Sequence, residues 1–289
     1  LDAACPRAYA GIAMAYRGMA HLDRAPREVF PLAKAAAEQA LRLDPDSPEA
    51  LMASGRVRHL YDWDWNAAEA LFRRALDLKP SLMEAHLGYA HLLTDLGRHE
   101  EGLDEARQAV DLDPLSPLVN SLAAGFCTAG RREEEAHAWL DRALELRPDF
   151  WVALTVRGGM ALDRGDVAAA LSDLTRAVGS AQRAAFTLAT LALAQSAAGR
   201  REDVLATARE LEARAAASYV SASNLAAVQL ALGHREHALT LLERALQERD
   251  IRMVFLRIDA RWNPLREEPR FVALAQRMGL VAERGYSRL

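Results

Sequence analysis

Small and large apolar residues recur along this chain with a period of 34 or 35 positions. Gly55, Ala90, Ala124, Gly158, Ala192 and Ala226 form one column of small residues. Ala68, Gly102, Ala136, Ala170, Val204 and Ala238 form a second, and Ala75, Ala109, Ala143, Ala177, Leu211 and Ala245 lie seven positions beyond them. Phe72, Leu140, Leu174 and Leu242 fall between the last two columns. This pattern predicts paired helices, because small residues let two helices approach while the large residue fills the space between them. Pro45, Pro80, Pro114 and Pro148 close successive second helices, since proline cannot continue the hydrogen-bond ladder and biases the residue before it away from helix. Gly97, Gly130, Gly165, Gly199 and Gly233 mark the turn inside each pair, where a left-handed residue ends a helix.

Such a period is the mark of a solenoid, in which each helix pair covers the apolar face of its neighbour. The expected fold is all-α, with about seven helix-turn-helix units at 6–47, 48–82, 83–116, 117–150, 151–184, 185–218 and 219–252. These make an array over residues 1–252, followed by a C-terminal cap over 253–289. In the cap, Pro269 opens a helix behind Glu267 and Glu268, Phe271, Leu274, Ala275 and Met278 follow at helical spacing, and Gly279 stops it. Burying Phe271, Leu274 and Met278 contributes roughly 1.5 to 3 kcal/mol each before entropy is counted.

The period and the small-residue columns resemble the tetratricopeptide repeat, which implies a right-handed superhelix. Several units depart from the pattern. The first carries about eight extra residues around His21 to Pro26, a longer inter-helix loop. The sixth has Val204 and Leu211 in the small columns and Ala216 in place of proline, so its helices should sit farther apart or shift. The fifth and seventh end at Gln182 and Asp250, again without proline.

Charge and cysteine usage narrow the functional classes. The 289 residues carry 36 basic and 40 acidic side chains, a net charge of −4, which disfavours direct nucleic acid binding. Lys34 and Lys79 are the only lysines. Cys5 and Cys127 cannot build a disulfide framework, which suits a reducing, cytoplasmic setting. The first residues lack a cationic start and Arg17 breaks the apolar stretch, so no signal peptide is expected. The longest uncharged run, 215–234, is too polar to cross a membrane and reads as a buried helix.

No catalytic, metal or cofactor site is expected. Nucleophile, phosphate-loop and zinc motifs are missing. Asp62, Asp64 and Asn66 have the spacing of a calcium loop, but Ala67 replaces the turn glycine and Arg73 the last carboxylate. The pairs His234/His237 and His86/His91 lack a third ligand of suitable spacing. Cys127 reads as a small buried hydrophobe, and Trp63 and Trp65 as packing wedges where the second unit has one extra residue.

The inner face carries the sharper signal. Positions 2, 5, 9 and 12 of each unit should line the concave groove, and in units four to seven none of them is charged. Leu118, Val152, Thr155, Phe186, Leu193 and Val220 belong to this strip. In units two and three the same positions include Arg56, His59 and His91, an ionic strip. A neutral, partly apolar groove fits an amphipathic helix, an extended apolar segment or another part of the same polypeptide. Tight superhelical curvature burying the strip is the bland alternative. The Lys and Asn pattern of a carboxylate clamp is absent.

Three segments extend the resemblance: Tyr61 to Trp65, Leu112 to Pro117, and a set at Asp259, Trp262 to Arg266, Pro269 to Phe271 and Met278 to Leu280. They resemble the repeat region that follows an effector domain in bacterial multidomain signalling proteins, among them winged-helix regulators, adenylate cyclases and protein kinases. The resemblance implies a non-catalytic protein-protein interaction scaffold, the sensory half of a signalling or transcriptional regulator. It also implies an effector domain encoded before Leu1, an expectation reinforced by the lack of room for a capping helix within Leu1 to Pro6. The alternatives are a small-molecule sensor with polar groups converging near Arg56, His59 and His91, and a self-association module forming homo-oligomers.

Overall fold

The computed structural model of the chain describes residues 5–21 and 24–280. Seven helix pairs follow one another: α1 (Pro6–Met19) with α2 (Pro26–Leu43), α3 (Pro48–Val57) with α4 (Trp65–Leu78), and α5 (Met83–Asp95) with α6 (His99–Leu112). They continue through α7 (Pro117–Ala129) with α8 (Glu133–Leu146), α9 (Trp151–Asp163) with α10 (Val167–Ser180), α11 (Ala185–Ala197) with α12 (Arg201–Ala217), and α13 (Ala222–Ala231) with α14 (Arg235–Glu248). Two 3-10 turns, Ile251–Arg257 and Ala260–Leu265, lead into a final helix, α15 (Pro269–Arg277). The result is an all-α superhelical solenoid whose pairs match the seven sequence units.

Helix starts follow from local chemistry. Ser47, Ser116 and Asp166 accept hydrogen bonds from the amides of Ala50, Val119 and Ala169, and proline supplies the first residue of α3 and α7. The small columns set the packing distance. The Phe72 ring sits so close to α3 and α5 that a methyl group at Gly55 would lie 3.0 Å from it and one at Gly88 2.6 Å. Leu174 stands in the same relation to Gly158, at 2.7 Å.

Four of the five turn glycines adopt the left-handed conformation, with φ between 70° and 84°. Gly130 does not. Its φ is −84°, and Arg131 takes the left-handed position instead at 58°, because this glycine sits one residue early in its unit. The uncharged run also differs from expectation: α12 ends at Ala217 and α13 begins at Ala222, so 215–234 spans two helices. In the sixth unit the large Val204 and Leu211 are buried, and α11 meets α13 more extensively than its own partner α12. The extra residue of the second unit emerges as a π turn, Arg58–Asp62, which ends at Trp63 in the left-handed conformation. Residues 22 and 23 of the long first loop lie outside the described residues.

The C-terminal segment does more than cap. Phe271, Leu274 and Met278 are buried in one cluster with Ala238 and Leu242 of the last pair, as a cap requires. The preceding turn crosses the inner face: Ile251 and Val254 share a cluster with Ala20, Phe30, Val57 and Leu60 of the first two pairs. The Phe255 ring stacks on His91 of α5 with centroids 4.6 Å apart. Arg257 reaches the Leu96 carbonyl at 3.4 Å, and Arg249 lies over the Trp63 ring at 4.1 Å. The solenoid therefore closes on itself, its end docked on its second and third units. No helix among the described residues is long and apolar enough to cross a membrane.

Candidate functional site

Successive first helices lie side by side, so residues one repeat apart become neighbours on the inner face. Arg56 of α3 and His91 of α5 are 35 positions apart, and the Arg56 guanidinium approaches His91 Nδ1 at 3.4 Å. His59 Nε2 lies 2.7 Å from Asp95 Oδ2, and His91 Nε2 lies 3.3 Å from the same oxygen without the alignment of a hydrogen bond. The His59 and His91 rings meet edge to face at 4.7 Å. His59 and Asp95 are fully buried, and Arg56 is 8% exposed. Guanidinium can only donate, so His91 presents a bare Nδ1 to Arg56 and carries its proton on Nε2, facing Asp95.

Burial and the neighbouring Arg56 charge hold the His59 imidazole neutral, well below its usual range, and His91 is lowered by burial and by the same surrounding charges. Burial pushes the Asp95 carboxyl up, against the pull of Arg56. Burial also draws Arg56 down to about 9, so it remains a cation at neutral pH. Four polar atoms at this centre have no hydrogen-bond partner among the described residues: Arg56 Nε, His59 Nδ1, His91 Nε2 and Asp95 Oδ1. Buried polar groups are almost always paired, so four such atoms in one place set this centre apart.

His59, His91 and Asp95 place ligand-type atoms within 4.8 Å of one another, which is metal-like spacing. The charges oppose that use. A divalent cation would add two positive charges beside a buried guanidinium, and ligation through His91 Nε2 would put a proton on Nδ1 against the Arg56 donor. Two histidines of the pairs considered in the sequence have other partners. His86 instead bonds Glu105 at 2.6 Å and the Pro80 carbonyl at 2.8 Å, while His234 bonds Gln229 at 2.8 Å. His91 does gain His59 and Asp95 as neighbours, which spacing within a single helix could not show.

The calcium-like residues are otherwise engaged: Asp62 pairs with Lys34 and Arg58, and Asp64 caps α4. Cys127 is buried, and desolvation pushes its thiol up to about 12. Trp63 and Trp65 are the wedges against which the C-terminal segment docks.

The neutral strip divides. Phe186 lies beneath Arg252 at 3.9 Å and Arg261 at 5.0 Å, so the C-terminal segment already covers it. Thr155 and Val220 are buried, Val152 and Leu193 are half-buried, and Leu118 is 47% exposed. Arg17 and His21, absent from the sequence-derived set, lie 3.5 Å apart and add their charges to those that lower His91. Tyr16 of α1 and Ala20 just beyond its end belong to the cluster that holds Val57, Ile251 and Val254.

A family model for the tetratricopeptide repeat matches residues 60–124. Among curated proteins, the chain is 30% identical to the CTR9 homolog of Arabidopsis thaliana over 146 residues. That alignment covers 50% of this chain and 13% of the relative, so the chain spans a small part of that protein's length. Among solved structures it is similar to PilW, described as a type IV pilus biogenesis factor, at 22% identity and TM-score 0.57, covering 76% of this chain and 96% of that one. A tetratricopeptide repeat protein of Parabacteroides merdae gives TM-score 0.57 at 14% identity, covering 83% and 93%. The APC/C Cut9-Hcn1 assembly gives 0.56 at 16%, covering 86% and 48%. Repeat period, helix pairing and these likenesses agree on the fold of a tetratricopeptide-repeat array.

Proposed function

We propose that this array is a non-catalytic protein-protein interaction scaffold, serving as the regulatory region of a cytoplasmic bacterial signalling or transcriptional regulator. One observation carries the reading. The first-helix strip of units four to six stays partly open at Leu118, Val152 and Leu193, while the other half of the inner face is filled by residues 251–266. A partner presenting an apolar or amphipathic segment fits the open half, where neutral side chains cost little to desolvate. The signalling context rests on the resemblance at Tyr61 to Trp65 and Trp262 to Leu280.

A photo-crosslinking residue placed in living cells at Leu118, Val152 or Leu193, with Arg142 on the outer helix α8 as the comparison site, tests this. The expected result is one partner adduct from the inner positions only, lost on Leu193→Arg while circular dichroism stays helical. Equal adducts from Arg142, or none from the strip, would overturn the reading. Adducts solely between copies of this chain would assign self-association instead.

A further inference from the structure

The 3-10 turn Ile251–Arg257 has two apolar faces, because residues three apart eclipse one another in a 3-10 helix. Met253 and Leu256 belong to the cluster of the last units, with Leu225, Leu239 and Leu242. Ile251 and Val254 belong to a different cluster, with Phe30, Val57 and Leu60 of the first two pairs. The turn is therefore anchored on the end of the array and offered to its beginning.

The receiving surface matches it in chemistry. Arg249, which ends α14 in the left-handed conformation at φ 57°, donates to the Tyr61 carbonyl at 3.3 Å and covers the Trp63 ring at 4.1 Å. Arg257 donates to the Leu96 carbonyl at 3.4 Å, where α5 ends. Tyr61 lies in the π turn that continues α3, so both acceptors sit at the C-terminal ends of first helices. The last carbonyls of a helix lack partners within it and carry the negative end of its dipole, which suits a guanidinium. Between the two arginines Ile251 and Val254 fill the apolar cluster, and Phe255 stacks on His91 at 4.6 Å. The fit is incomplete in one respect. The two rings under the segment, Trp63 and His91, each keep a buried nitrogen, Nε1 and Nε2, with no hydrogen-bond partner among the described residues. Withdrawal of the segment would let water reach both, offsetting part of the apolar contact given up.

We propose that the inner face of the second and third units is a peptide-binding surface whose resident occupant is the tethered segment 249–257. The partner it fits is a segment of another protein with the same chemistry: an arginine at each end, and a β-branched apolar pair and an aromatic residue between them. Tethering holds the resident segment at high effective concentration, so a partner in trans engages only where closure is loosened. This surface is separate from the strip at Leu118, Val152 and Leu193, and the inference stands whether or not that strip binds a protein.

Fluorescence anisotropy of a labelled peptide of residues 249–259, titrated with the whole chain, tests it. The wild-type chain should bind the peptide weakly, because its surface is already filled. Arg249→Ala with Phe255→Ala in the chain loosens the tethered segment and leaves the receiving surface unchanged, and should tighten peptide binding at least about tenfold. On that loosened chain, a peptide with Gln in place of both Arg249 and Arg257 should bind about tenfold more weakly, as loss of charge-assisted contacts does. A peptide of the same composition in scrambled order should not bind. If circular dichroism shows that the double variant is not helical, Phe255→Ala alone, at a half-buried position, serves in its place. Wild-type dimers that the peptide separates would support the surface and assign the partner as the same segment of a second copy. Equal binding to the wild-type and loosened chains, binding to neither, or equal binding of the scrambled peptide overturns the proposal.

Discussion

Trp65 Nε1 donates a hydrogen bond to the Met278 carbonyl at 2.9 Å, joining residues 213 positions apart. Repeat arrays draw their stability mainly from contacts between adjacent units. Here the cap that covers the last pair also docks on the second, and Gly279, left-handed at φ 73°, passes within 3.2 Å of the same indole nitrogen by its would-be Cβ. The two ends of the chain are thereby coupled in one folding unit.

Trp65→Phe tests that coupling, because it keeps an aromatic ring beside His59 while removing the donor and the pyrrole part of the indole. The loss should be at least about 1 kcal/mol in urea unfolding, the usual net worth of a hydrogen bond, with the lost packing of the larger ring added to it. Hydrogen exchange should quicken in α15 and in the 251–257 turn, and deletion of 253–289 should extend that loss of protection to α3 and α5. Protection unchanged in α3 and α5 after the deletion would show that the closure carries no energy.

Glycine substitutions should split by location. Gly88→Ala puts a methyl group 2.6 Å from the buried Phe72 ring and should destabilise by about 1 to 3 kcal/mol, the range for overpacking. Gly125→Ala meets nothing within 4 Å in α7 and should stabilise by about 0.5 to 1 kcal/mol through helix propensity. Phe72→Leu added to Gly88→Ala should recover part of the loss, a non-additivity that chemical denaturation of the four chains measures.

The helix pairs were legible because each depends on residues close in sequence: the small columns, Phe72 and Leu174, the prolines and the turn glycines. Arg131 escaped because a one-residue shift of Gly130 moves the left-handed position without changing the period. The inner-face cluster was half legible. Arg56, His59 and His91 lay on predicted groove positions, and the 35-residue step that joins Arg56 to His91 is the repeat period itself. Asp95 did not follow, because the same step from His59 leads to Thr94, whereas the partner lies 36 positions away, opposite the π turn over Arg58–Asp62. Arg252 did not follow, since it arrives through closure of the chain on itself and the irregular turns after 250 carry no periodicity to announce it, while His21 lies in the irregular loop after α1.

His86 should give the array a pH dependence of opposite sign to its other inner histidines. Burial opposes its charge, but bonds to Glu105 and the Pro80 carbonyl, with the Glu105 charge, leave its proton affinity raised overall. An unfolded histidine titrates near ~6.5. The His86 contribution is therefore complete below that pH and is lost as pH rises through the higher folded value. His21, His59 and His91 are lowered instead, so folding must resist their protonation and they cost stability as pH falls below ~6.5. Urea titrations of the wild type and His86→Gln at pH 6.0, 7.0 and 8.5 separate the two. The difference should be about 1.5 kcal/mol at the acid end, the scale of a hydrogen bond to a charged group, and should shrink toward pH 8.5. Glu105→Gln should flatten the same trend, and a difference that grew with pH would mean that His86 folds as the neutral imidazole.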